Sequence, residues 1–282
     1  MKKSSPLKKS ALFGIFLIVF YFGAGNLVKL LFKHYNIHIT NVQSILISQL
    51  GLVLIPVIIY FLITKDSIIK TLKLYPINLI CLMKVILFAF CIQPLVMTVS
   101  AIGNLFFTNY TTNAIISLSS SFSYPAMLML TAVLPAIIEE VSIRGVILAG
   151  FKGKLTFPTA IINGLVFALL HGNVQQGLYA FILGFIFVYL VNAAGSIFAS
   201  MVTHFIINAT SLTMTYVLSG TYKKLGTGAQ TTLSINTPGV IPFIVTLAVI
   251  ATVSTFLAYL LYRSIKNQGR TFFKDRRNTI LI

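Results

Sequence analysis

The sequence predicts an all-α polytopic membrane protein with about eight transmembrane helices, and three observations carry that reading. Hydrophobic residues make up 57% of the 282-residue chain and charged residues only 9%, where a soluble domain is roughly a quarter charged. The mean hydropathy is +0.94. The basic residues behind the net charge of +17 stand at the ends of apolar runs, as in MKKSSPLKK and RSIKNQGRTFFKDRR. Such flanks belong on the cytoplasmic side, against anionic headgroups. The same placement argues against a nucleic-acid partner, which needs a basic face interleaved with aromatics outside the membrane.

The first span is read at 11–31. Basic residues before it imitate a signal peptide, but the apolar stretch is too long and has no small-residue cleavage site, so it is expected to be retained. Further runs near the twenty residues a bilayer requires follow at 43–63, 78–101, 125–151, 157–172, 175–193, 195–218 and 239–263. The fifth is short, and its end at His171-Gly172 reads as a break rather than a clean exit. With the N-terminus inside, 15 of the 21 lysines and arginines fall on the inner side; Lys29, Lys33, Lys223 and Lys224 fall outside, and Lys84 and Arg144 within spans. This asymmetry implies a cell-membrane protein with both ends cytoplasmic. The 103–124 loop carries no charge, which suits the opposite side. One integral membrane domain is expected over 1–282, with its chemistry in about 124–212. Cys81 and Cys91 share one span about 15 Å apart and cannot bridge.

Glu139 and Glu140 are the only glutamates, side by side in LPAIIEEVSIRGVIL. A carboxylate in hydrocarbon costs about 3 kcal/mol on insertion scales and needs a partner. Arg144 follows Glu140 by one helical turn and shares its face, while Glu139 is rotated by about 100°. Glu140 and Arg144 therefore read as a structural ion pair, leaving Glu139 free to act as a base. Pro135, four residues earlier, frees a carbonyl and can kink the helix. Downstream stand Phe167-x-x-x-His171 and His204-x-x-x-Asn208, the latter in a polar row of Ser196, Ser200, His204, Asn208, Ser211 and Thr215. That face is expected to turn inward, away from lipid. Glu139 and His171 each lie about 20 Å from the joint near 152–156, hence at a similar depth. Each feature alone has a plainer reading: a structural clamp for Glu140–Arg144, interhelical packing for the histidines and hydroxyls, solvation for His34 and His38, snorkelling for Lys84. Asn109-Tyr110-Thr111 matches a glycosylation sequon, a pattern common by chance.

Together, E-E-x-x-x-R, F-x-x-x-H and H-x-x-x-N on successive apolar segments resemble the CPBP family, which includes the type II CAAX prenyl endopeptidases and bacterial relatives linked to bacteriocin processing and self-immunity. The resemblance covers about Tyr124 to Ser211. It implies a CAAX-protease-like helical bundle acting as an intramembrane endopeptidase on a hydrophobic or membrane-associated peptide or protein. Glu139 would then correspond to the catalytic glutamate, His171 would help activate water, and His204 and Asn208 would stabilise the oxyanion, with Phe167 supporting the motif. A buried carboxylate near imidazole can be tuned to act as a general base, and paired donors suit an oxyanion. No cofactor is the preferred expectation; zinc on Glu139, His171 and His204 is the alternative, although H-E-x-x-H is absent. Two other functions stay open: a non-catalytic immunity or regulatory protein of the same fold, and an ion-coupled transporter, for which no inverted repeat is found.

Overall fold

A computed structural model describes residues 5–119, 121–151, 156–224, 236 and 238–279, without the side chains of 219–224 and 270–279. Among the described residues all regular secondary structure is helical. The elements are α1 (Pro6–His34), α2 (Asn41–Thr64), α3 (Ile68–Leu72), α4 (Leu79–Gly103), α5 (Tyr110–Ser119), α6 (Tyr124–Ile147), α7 (Phe157–Leu170), α8 (Val174–Ala194), α9 (Phe198–Lys224) and α10 (Val240–Thr279). Seven of them contain a stretch long and apolar enough to cross a membrane. The eighth crossing expected from sequence, α7, has only 14 residues, about 21 Å of helix against a hydrocarbon core of about 30 Å.

Local chemistry sets the starts. Ser5, Thr40, Asn78, Thr156 and Asn173 each cap a helix, their side-chain oxygens accepting from the backbone N–H three residues on. At Thr40 the cap is reciprocal, with Gln43 answering the Thr40 N–H. Two membrane helices widen into π-turns, at Ile47–Leu54 in α2 and Met129–Val133 in α6. Each widening ends two residues before a proline, Pro56 and Pro135, which lack an N–H and crowd the carbonyl four residues back. The helix relieves that conflict by shifting its bonds by one residue. A third π-stretch, Val141–Ile147, begins directly after Glu140.

Polar contacts sort into two ends of the bundle. At one end Lys9 pairs with Asp66 at 2.7 Å, Lys73 Nζ donates to Asn192 at 3.2 Å, and Gln268 bonds both Lys84 and Asn78. At the other, Asn41 donates to Ser117, Thr111 to Gln176 and Gln175 to Asn104, while Tyr124 and Thr213 share a hydrogen bond. Each connection falls at the end that an alternating path requires, and the short α7 runs from the basic end toward the other. Lys84 extends toward its basic end, as expected, and finds an amide there.

Three expectations need adjustment. The uncharged 103–124 segment is not all loop: it holds α5, whose N-terminus Asn109 caps through a bond from Thr112 N–H. The sequon asparagine is thereby buried and engaged in folding. The final helix runs on to Thr279, 40 residues in all, well past the apolar limit at 263. Cys81 and Cys91 are free, as read, the first buried and the second half-buried.

Candidate active site

Glycine decides where the histidine on α7 sits. A Cβ added at Gly184 of α8 would lie 2.6 Å from the Gly164 Cα of α7, and one added at Gly164 would lie 2.8 Å from the Phe181 carbonyl oxygen. The two helices therefore touch backbone to backbone, the small-residue packing that membrane interiors favour. Gly172 takes φ +67° to make the turn from α7 to α8. His171 is the C-cap residue of α7. Its Nδ1 donates to the Phe167 carbonyl at 2.7 Å, closing one of the carbonyls that a helix end leaves open.

At the centre is a buried clamp. Glu140 Oε1 accepts from Arg144 Nη1 at 2.8 Å and from His204 Nδ1 at 3.0 Å. Glu140 is 0% and Arg144 1% exposed. The guanidinium is enclosed by two rings, its Cζ lying 4.2 Å from the Phe167 centroid and 5.0 Å from that of Phe187, a desolvated cation–π arrangement. Phe167 also meets the His171 ring at 4.8 Å and the His204 ring at 5.6 Å, both edge-on. The motif phenylalanine is thus the common wall of three polar groups. The expected Glu140–Arg144 pair forms, but it has a third member: His204 belongs to it through Nδ1.

Glu139 turns the other way. With Phe167, His171, His204 and Asn208 it lines a cavity of about 580 Å³, within the range of ligand sites. Its Oε1 accepts from Gln49 Nε2 at 2.7 Å. Its Oε2 has no hydrogen-bond partner among the described residues and lies 3.9 Å from His204 Nε2. Glu139 and His171 both line the cavity. The polar row on α9 divides. Ser196 and Ser200 bond backbone carbonyls at its start, whereas Asn208, Ser211 and Thr215 line the cavity.

The hydrogen bonds fix the imidazole tautomers by inference from their partners. A carbonyl oxygen can only accept, so His171 carries a proton on Nδ1 and its Nε2 is free for other work. The arginine-paired Glu140 carboxylate likewise calls for a proton on His204 Nδ1, leaving Nε2 directed at Glu139. His204 can therefore donate to an oxyanion only as imidazolium.

Gln49 escaped the sequence reading. It stands on the π-turn of α2, far from the motif segment in sequence, and is nearly buried. The available signal was an amide inside the apolar run ISQLGLVLIP, the kind of group that needs a partner in a membrane. As for zinc, the donors Glu139, His171 and His204 share the cavity, but among the described residues no three His, Cys, Asp or Glu are grouped as a metal ion requires.

Comparison with known families gives a match over part of the chain. Residues 121–210 match the description Type II CAAX prenyl endopeptidase Rce1-like. Neither the curated proteins nor the solved structures give a match. The matched segment contains the glutamate pair, Arg144, Phe167, both histidines and Asn208, and it excludes Gln49. Residues 121–210 are therefore similar to the Rce1-like type II CAAX prenyl endopeptidases, within a chain whose seven long apolar helices make it a multi-pass membrane protein.

Proposed function

We propose that the protein is an intramembrane endopeptidase of the glutamate type, with Glu139 as general base. The observation that carries this is the free Glu139 Oε2 facing a cavity that also receives His171, His204 and Asn208. Water is held between Glu139 and His171 Nε2. Its proton passes to Glu139 as its oxygen attacks the scissile carbonyl carbon, and the carbonyl π electrons move to oxygen. The Asn208 amide and a His204 imidazolium donate to that oxyanion. The C–N bond then breaks as Glu139 returns the proton to the departing nitrogen, leaving a new carboxyl and a new amine terminus. Gln49 holds the carboxylate in place, and the Glu140–Arg144 clamp holds His204.

The substrate is a hydrophobic or membrane-associated peptide or protein, the protein lies in the cell membrane with both termini cytoplasmic, and the chemistry runs without a metal. Cleavage of candidate membrane peptides by purified protein tests this. Glu139→Gln and His171→Ala are each expected to lower turnover by about 10²–10⁴-fold, the usual worth of a general base. Turnover retained in both variants refutes the assignment. Stoichiometric zinc together with reversible loss of cleavage on chelation refutes the metal-free chemistry.

A further inference from the structure

The cavity has a direction. The cavity runs from mid-depth to one end of the bundle: Glu139 on α6 and His204 on α9 lie at its inner limit, while α2 lines it through Ser44 to Gln49 near its start, α4 through Gln93 to its end, α9 onward to Leu218, and α10 at Phe243 and Leu247 near its start. No residue lining it comes from the end marked by Lys9–Asp66 and Lys73–Asn192. The site is therefore reached from the end where Thr111 meets Gln176 and Tyr124 meets Thr213. That is the end poor in lysine and arginine, holding four of the chain's 21 basic residues, and by charge asymmetry it faces away from the cytoplasm.

The lining has a chemistry as well. Apart from Glu139, His171 and His204, its described side chains are aliphatic and aromatic residues and uncharged polar ones such as Ser44, Gln93, Asn104 and Thr131. Amides and hydroxyls can serve a peptide backbone in either direction, as donor or acceptor. Away from Glu139 and His204, a lysine or aspartate placed among them has no counter-ion, and burying an unpaired charge is strongly unfavourable.

We infer that the site takes an uncharged peptide segment presented from the non-cytoplasmic face, so its substrates are exported or translocated chains rather than cytoplasmic C-termini. This deepens the proposed peptidase function and rests on it for the cleavage step, though the direction of access does not.

Two measurements separate the two. Single cysteines are placed in a Cys81→Ser, Cys91→Ser background at Asn113 on α5, at Thr215 in the cavity and at Ser67 at the basic end. A membrane-impermeant maleimide added to intact cells is expected to label Asn113→Cys and Thr215→Cys, and to label Ser67→Cys only after permeabilisation. Labelling of Ser67→Cys alone in intact cells overturns the inference, as does Thr215→Cys reacting only after permeabilisation. Second, a single-span reporter with a Ser/Asn/Leu-rich juxtamembrane segment is displayed on either side of the membrane. Cleavage is expected on the non-cytoplasmic side alone, and at least tenfold less when lysine or aspartate flanks the site. Cleavage only of the cytoplasmic display overturns the inference. No cleavage on either side, with the expected labelling, refutes the peptidase reading and leaves the direction of access established.

Discussion

At the scale of single residues, two adjacent carboxylates have been given different work by a rotation of about 100°. Glu140 is consumed by Arg144 and His204; Glu139 keeps one oxygen for the cavity. Their substitutions should fail differently. Glu139→Gln should lower cleavage by about 10²–10⁴-fold while leaving thermal stability in detergent close to wild type. Arg144→Met should lower stability by about 3–5 kcal/mol, since it strands a buried carboxylate, and thermal unfolding of the purified variant measures it. Gln49→Leu removes a hydrogen bond to a charged group, worth about 1.5–3 kcal/mol. Because that bond orients the base rather than the substrate, it should reduce kcat by about 10- to 100-fold with KM unchanged. A raised KM at constant kcat would instead place Gln49 in substrate binding. The motif residues were legible because charged and imidazole groups are scarce in apolar segments. Gln49 was not, because one uncharged amide in a span is unremarkable until its partner is known.

At the scale of elements, the site depends on one helix being too short. α7 ends at Leu170, so its C-cap residue His171 lines the cavity, and the Gly164–Gly184 contact holds α7 against α8. Gly184→Val should therefore lower stability by about 1–3 kcal/mol, the usual penalty of overpacking, and reduce cleavage with it through the displacement of His171. Gly177→Ala is the control: a Cβ there meets the Ala168 carbonyl oxygen at an ordinary 3.5 Å, and its melting temperature should stay near wild type. The sequence reading located the break at His171-Gly172 from the brevity of the apolar run. It did not find α5, because a polar, uncharged stretch without strong periodicity looks like loop. Nor did it find the π-turns, although Pro135 had marked where one helix must yield.

At the scale of the whole molecule, the basic end is fastened by few ionic contacts, of which Lys9–Asp66 joins α1 to the segment after α2. Burial works to raise the Asp66 carboxyl, but hydrogen bonds from Lys9 and Tyr60 outweigh it and hold the group below the ordinary carboxylate range. A folded-state value below the unfolded one, about 3.9, adds stability that is fully present above about pH 4 and is lost as pH falls through the folded value. Wild type should thus unfold at a higher temperature than Asp66→Asn near pH 7, and the gap should close below about pH 4. A partly exposed pair of this kind is worth about 0–1 kcal/mol, so the difference should be small. The sequence by itself determined the membrane class, the order of the apolar segments, and which ionisable side chains stand inside them. These follow from solvation: hydrocarbon admits only long apolar helices and tolerates charge only with a partner. Tertiary structure alone decided that His204 joins the Glu140 clamp, that Gln49 holds Glu139, and that the cavity opens at one end. Those facts depend on which helices meet, and at what depth. Contacts between residues 64 or 90 positions apart leave no trace in local spacing.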